Sequence, residues 1–202
     1  MKAIILAAGK GKRFGETTKK IPKPLIKLGN FTLIEHNIFL LKKYGFNDVV
    51  INVSYLSQMI IDYLGDGSKY GISIKYSIEK PEPLETGGGI HNAMSLLENN
   101  IFLVINSDIY TDCILSDIIL PKNDLASLVM VKNPKHNLNG DFSLSNSRIK
   151  FNQNKIIESI HNYIDFDKFI LRKGAISAEK DKLCIISLNM RDGILICKGK
   201  GN

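Results

Sequence analysis

Apolar residues in this chain come in short runs parted by polar turns, and the runs follow two periods. Residues 3–6, 48–53 and 101–105 are apolar almost without a break over strand length, as strands buried on both faces of a sheet are. Residues 72–77 and 125–131 predict further strands, and 141–144 with 148–151 predicts a hairpin across Ser145, Asn146 and Ser147. Between the first two strands, Leu33, Ile34, Leu41 and Tyr44 recur at helical spacing behind a capping box of Thr32 and Glu35, and Gly45 ends the helix. Residues 56–64 read as a short helix stopped by Gly65, Asp66 and Gly67, and 90–97 as another.

Strands alternating with helices of this length specify an α/β fold with a mostly parallel sheet covered on both faces. Ligands of such sheets bind beyond the carboxyl ends of the strands, where both the turn at Gly9 and the Asn106-Ser107-Asp108 segment fall. No internal repeat, low-complexity tract or linker interrupts the chain. It reads as one domain over 1–154, with a tail at 155–202 that is not a separate domain.

A length of 202 residues suffices for a sizeable core, and 44% hydrophobic with 23% charged residues is an ordinary globular composition. No apolar run approaches the roughly 18 to 20 residues that cross a bilayer, and Met1-Lys2 leads into a strand and a charged turn. A soluble, cytoplasmic protein without a membrane partner is expected. Cys113, Cys184 and Cys197 are odd in number and lack Cys-x-x-Cys spacing, which suggests reduced thiols. His36, His91, His136 and His161 show no metal-ligand spacing, and no Ser/His/Asp or Cys/His nucleophile pattern accompanies them.

The chemistry concentrates in the turn after the first strand. Gly9 and Gly11 let backbone amides approach a ligand, and Lys10, Lys12 and Arg13 set charge beside them, an arrangement suited to phosphate. A dinucleotide fingerprint is disfavoured because its third glycine, Gly15, arrives one residue late. A P-loop fails because Arg13 follows Gly11-Lys12 where the magnesium-binding hydroxyl belongs. The net charge of +7 raises the question of nucleic acid. Lys10, Lys12, Arg13, Lys19, Lys20, Lys23 and Lys27, however, crowd one short segment against Glu16, with Phe14 as its interleaved aromatic residue. A compact polyphosphate fits that cluster better than a long backbone, so no nucleic-acid partner is expected.

The run from Leu6 through Ala7, Ala8, Gly9, Lys10, Gly11 and Lys12 to Arg13, followed by Pro22-Lys23-Pro24-Leu25, resembles the signature of the sugar-1-phosphate nucleotidyltransferases. The likeness is strongest to the N-acetylmuramate 1-phosphate uridylyltransferases and the mannose-1-phosphate guanylyltransferase-like proteins. Glu85-Thr86-Gly87-Gly88-Gly89, Asn106-Ser107-Asp108 and Gly140-Asp141-Phe142 continue it in order over about 140 residues, which a lone glycine motif would not do.

The resemblance implies a Rossmann-like, three-layer α/β/α fold that joins a nucleoside triphosphate to a sugar 1-phosphate with Mg2+ as cofactor. In that reading Ala8, Gly9, Gly11, Lys12 and Arg13 hold the triphosphate, and Arg13 forks onto the oxygens that leave as pyrophosphate. Lys23 stands by the α-phosphate, aimed by the fixed φ angles of Pro22 and Pro24. Asp108 is the magnesium ligand, so that Arg13, Lys23 and Asp108 form the catalytic set. Thr86 and Gly88 belong to a base-reading loop that opens a helix at Ile90, and Asn106 and Asp141 contact the sugar. Plainer alternatives stand beside these roles: Lys23 as one solvated lysine among several, Asp108 as a turn cap, the glycines as a flexible loop, Asn106 and Asp141 as turn residues.

Uridine is the expected base and guanine the runner-up; the sugar and the oligomeric state stay open. The alternatives are a mannose-1-phosphate guanylyltransferase, a phosphocholine cytidylyltransferase with the same opening signature, or nucleotide binding without turnover. A glycosyltransferase of related fold would usually carry Asp-x-Asp, which Asp108-Ile109-Tyr110 lacks. The resemblance stops near Asn154. The family's late segment with a second magnesium-binding aspartate has no counterpart here, by truncation, a shifted frame or divergence, and Asp165 and Asp167 are the candidates left. The expectation is nucleotide binding with turnover lowered about a hundredfold or more, since each ~1.4 kcal/mol of lost stabilisation is tenfold in rate.

Overall fold

The computed structural model describes residues 1–11, 16–80, 82–98, 100–121, 124 and 126–129, with the strand backbones at 142–145, 148–151, 164–165, 168–169 and 194–198. Strand β1 (Lys2–Leu6) runs into the glycine turn, followed by helix α1 (Thr17–Lys20), a 3-10 turn (Lys23–Leu25) and a small hairpin of β2 (Lys27–Leu28) and β3 (Phe31–Thr32). Helix α2 (Leu33–Lys43), β4 (Asp48–Val53), α3 (Ser57–Leu64) and β5 (Ser73–Ile78) come next, then α4 (Glu85–Asn92), α5 (Met94–Leu97), β6 (Ile101–Asn106) and β7 (Ala126–Leu128). Strands β8 (Phe142–Ser145) and β9 (Arg148–Phe151) pair antiparallel, as do β10 (Ile164–Asp165) and β11 (Lys168–Phe169). The last strand is β12 (Ile194–Lys198).

The main sheet has the order β5-β4-β1-β6-β12-β7. Its first four strands are mutually parallel, and β12 lies antiparallel between β6 and β7. Two cores explain the unbroken apolar runs, because successive side chains on a strand point to opposite faces. Ala3, Ile5, Val49, Ile51, Leu103 and Ile105 pack on Ile34, Ile38 and Leu41 of α2 and on Ile60 and Leu64 of α3. Ile4, Val50, Phe102 and Val104 face the other way, onto Ile90, Met94 and Leu97 of α4 and α5. The result is the three-layer α/β/α architecture that the alternation specifies.

The capping box forms as expected: the Glu35 N–H donates to Thr32 Oγ1 at 3.4 Å, and the Thr32 N–H donates to Glu35 Oε2 at 2.8 Å. The hairpin of β8 and β9 forms, with one shift from its sequence reading: Ser145, expected in the turn, ends β8 and pairs with Arg148. Asp141 lies outside the described residues, and β7 is shorter than 125–131, whose Leu125, Met130 and Val131 also lie outside the described residues. One correction concerns the glycine segment: α4 starts at Glu85 instead of Ile90, so Gly87, Gly88 and Gly89 sit inside a helix. Helix propensity argues against three interior glycines, at a cost of roughly 0.5–1 kcal/mol each relative to alanine, and at Gly89 close packing overrides it. Strand β12 adds a pairing partner to β6 from within the 155–202 segment, where the periodicity assigns no strand.

Chain order along the sheet reverses at β1: the path goes to β4 and β5 on one side and then returns to β6 on the other. Such a switch point opens a crevice at the carboxyl ends of the two diverging strands.

Candidate functional site

The crevice lies between the ends of β1 and β6. Leu6 is in register with Asn106, and the Ser107 N–H donates to Leu6 O at 3.0 Å, so the loops that follow leave the sheet side by side. Ala7 and Ala8 are buried and small, which keeps the loop close to the sheet. Beside Gly9 the space is open among the described residues, since a Cβ there would meet none of them within 4 Å. Gly11 is held differently. Its φ of +62° favours glycine, and a Cβ would come to 3.1 Å from Thr18 Cγ2 and 3.4 Å from Lys23 Cβ. The turn therefore packs directly on the residue that the proline pair presents.

Pro22 caps the 3-10 turn with φ −62°, and the Leu25 N–H donates to Pro22 O at 2.9 Å, which fixes the Lys23 backbone. From there Lys23 Nζ donates to Asp108 Oδ2 across 85 residues of sequence. About a quarter of the Lys23 side chain and a third of the Asp108 side chain remain exposed, 24% and 31%. Asn37, from the buried face of α2, braces the Asp108 loop: its Nδ2 lies 3.3 Å from each of the Asn106, Ser107 and Ile109 carbonyl oxygens.

A second network reaches the same turn from the other side. The Ala7 N–H donates to Asn52 Oδ1 at 2.7 Å, Asn52 Nδ2 donates to Glu79 Oε1 at 2.6 Å, and the Leu84 N–H donates to Glu79 Oε2 at 2.7 Å. Burial pushes the Glu79 carboxyl above its ordinary value and the Glu85 charge adds to this, against the bonds from Leu84 and Asn52. Gly89 closes over the pair, since a Cβ there would fall 2.4 Å from Glu79 Oε1 and 2.5 Å from Asn52 Nδ2. That contact accounts for a glycine at position 89 of the helix. Nearer the surface, Lys10 Nζ donates to Glu82 Oε2 and ties the glycine turn to the approach to α4.

A family model described as Nucleotidyl transferase matches residues 2–158. The chain belongs to the nucleotidyl transferase family. It is 46% identical over 149 residues to an N-acetylmuramate alpha-1-phosphate uridylyltransferase of Neisseria meningitidis, a match that covers 71% of this chain and 64% of that protein. It is 33% identical over 185 residues to a D-glycero-alpha-D-manno-heptose 1-phosphate guanylyltransferase of Campylobacter jejuni, covering 92% of this chain and 66% of the relative. The chain thus spans just under two thirds of the length of these relatives. Among solved structures, one described as a glucose-1-phosphate thymidylyltransferase from Bacillus anthracis in complex with sucrose aligns with a TM-score of 0.52. That match has 28% identity and covers 55% of this chain and 46% of the other.

Within this nucleotidyl transferase fold, Ala8, Gly9, Gly11, Lys23, Asn106 and Asp108 converge on the switch-point crevice. Lys12, Arg13 and Asp141 lie outside the described residues, as does Asp167, while Asp165 is placed by backbone alone in β10. Thr86 is half-buried in the first turn of α4 and Gly88 is buried in the second, so the segment expected as a loop presents a helix start instead. Among the described residues no group of three His, Cys, Asp or Glu side chains gathers as a metal cage, and no helix is long and apolar enough to cross a membrane. Three residues of the site have no place in the motif reading: Asn37, Asn52 and Glu79. Their signal was a polar side chain in an apolar stripe or at the end of a buried strand, which burial makes informative.

Proposed function

We propose that this chain transfers the uridylyl group of UTP to a sugar 1-phosphate, with N-acetylmuramate 1-phosphate as first candidate, and releases pyrophosphate. The observation that carries the reading is the meeting of Lys23 and Asp108 beside the glycine turn at the switch between β1 and β6. The 46% identical uridylyltransferase supports the choice of base and sugar. An oxygen of the sugar phosphate attacks the α-phosphorus, and the new P–O bond forms as the bond to the β-bridging oxygen breaks. Amides of the glycine turn and Arg13 hold the departing pyrophosphate oxygens, and Lys23 faces the charge on the α-phosphoryl group. Thr86 and Gly88 border the base, and Asn106 and Asp141 orient the sugar.

Magnesium supplies charge neutralisation to the phosphate oxygens when bound. Asp108 suits it: a partly exposed carboxylate at a strand end, one of the one or two that this ion takes alongside phosphates and water. The same reading takes the protein as cytoplasmic, with no nucleic-acid or membrane partner. A second reading, guanylyl transfer to a heptose 1-phosphate, is favoured by the relative whose match covers 92% of the chain. Pyrophosphate release from UTP, GTP, CTP and dTTP, each with N-acetylmuramate, mannose and heptose 1-phosphates, separates the two. Preference for UTP with N-acetylmuramate 1-phosphate is expected; preference for GTP selects the second reading, and no release from any pair leaves nucleotide binding alone.

A further inference from the structure

The buried pair of Asn52 and Glu79 spans the two segments that the proposed reaction needs in fixed relation. Glu79 is 2% exposed and Asn52 3%, and among the described residues Glu79 makes no ion pair. A carboxylate without a cation is an expensive way to fill a core, so its placement calls for a role that an apolar residue could not fill. Each hydrogen bond joins a different element. Asn52 on β4 accepts from the Ala7 amide at the root of the glycine turn, and Glu79, just past β5, accepts from the Leu84 amide at the entry to α4. The 2.6 Å bond between the two side chains completes a continuous link from one segment to the other. Gly89 presses on that link from the α4 side without a side chain, which sets the height of the helix over β4 and β5.

We propose that Asn52 and Glu79 are positioning residues that hold the triphosphate turn and the N-terminal end of α4 in one register, so that nucleotide affinity and discrimination between bases both depend on the pair. The inference rests on the reading of this crevice as the nucleotide site, with α4 on the side of the base. Affinity enters because Ala7 anchors the amides that would meet phosphate. Discrimination enters because a shift of α4 changes the wall against which a base lies.

The bond directions allow a decisive swap. In Glu79→Gln alone, an amide nitrogen must face either Asn52 Nδ2 or the Leu84 N–H, and one contact is lost. In Asn52→Asp alone, two carboxylates face each other. In the double variant, the new Asp at 52 accepts from Ala7 and from the new Gln at 79, whose oxygen accepts from Leu84, so every contact and the charge return. Calorimetric titration of the parent, both single variants and the double variant with UTP and with GTP tests this, alongside melting temperatures. Each single variant is expected to bind UTP on the order of tenfold more weakly, the loss of one buried bond, and to narrow the UTP over GTP preference, with both restored in the double variant. Where Glu79→Gln does not fold, Glu79→Asp, which withdraws the carboxylate by one methylene, gives the same reading. Single variants that melt lower yet keep the parental affinities and base ratio overturn the positioning role and leave a structural one. A parent that binds neither nucleotide overturns instead the assignment of the site.

Discussion

Lys23 Nζ donates to Asp108 Oδ2, and this one contact joins the proline-framed turn to the end of β6 across the switch point of the sheet. Opposite charges held there, with neither side chain fully buried, can exchange each other for phosphate and cation at low desolvation cost. Lys23→Ala is expected to weaken UTP binding roughly tenfold to a hundredfold, the loss of a charge-assisted bond of about 1.5–3 kcal/mol. Its melting temperature should stay close to that of the parent. Titration calorimetry with UTP and magnesium checks both statements, and unchanged affinity would remove Lys23 from the site.

Asn37 braces the Asp108 loop through the Asn106, Ser107 and Ile109 carbonyls. Asn37→Leu keeps the apolar contact of α2 but removes the amide that faces those carbonyls, while the Ile109 N–H still donates to Asn106 O at 3.5 Å, at a cost of about 1–3 kcal/mol in stability. Urea unfolding measures that loss, and the looser loop should also raise the magnesium concentration needed for UTP binding. A variant as stable as the parent would mean that the carbonyls find other donors.

The parallel sheet, its two covering layers and the crevice were legible because the apolar runs at 3–6, 48–53 and 101–105 have strand length and fall between helical patterns. The same runs concealed Asn52, since one polar residue in Asp48–Val53 does not disturb a strand pattern, and its partner Glu79 lies 27 residues on. Asn37 was hidden likewise among Ile34, Ile38 and Leu41. The start of α4 was misjudged because propensity sees only the glycines, whereas Gly89 is set by the approach of Glu79 and Asn52 from distant strands.

Gly89→Ala places a methyl group where Glu79 Oε1 and Asn52 Nδ2 already lie, 2.4 and 2.5 Å from the new Cβ. Overpacking of this kind costs about 1–3 kcal/mol, more than the gain in helix propensity returns. Unfolding in urea should show a lower midpoint. A midpoint at or above the parental one would mean that α4 stands further from the sheet.

Glu79 predicts a pH dependence. Its carboxyl is raised above 4.5, chiefly by burial, so the folded chain holds this proton more tightly than the unfolded chain. The stability it contributes is present in full below the unfolded value, about 4.5, and is lost as pH rises through the folded value. The stability of the parent relative to Glu79→Gln should therefore fall as pH is raised from 4 toward neutrality, over roughly the range where the two pKa values lie. Parallel stability curves for the two proteins would contradict the raised value.

The most direct test of the proposed reaction is pyrophosphate release from UTP on addition of N-acetylmuramate 1-phosphate and magnesium, compared between the parent and Asp108→Asn. Asparagine preserves the shape of the side chain at the end of β6 and removes the charge that would hold the cation. The account predicts release by the parent that needs both substrates, and a drop of at least about a hundredfold in Asp108→Asn with its fold intact, the scale of a metal contribution of several kcal/mol. Equal release by the two proteins, or none from the parent with any triphosphate and sugar 1-phosphate, would contradict it.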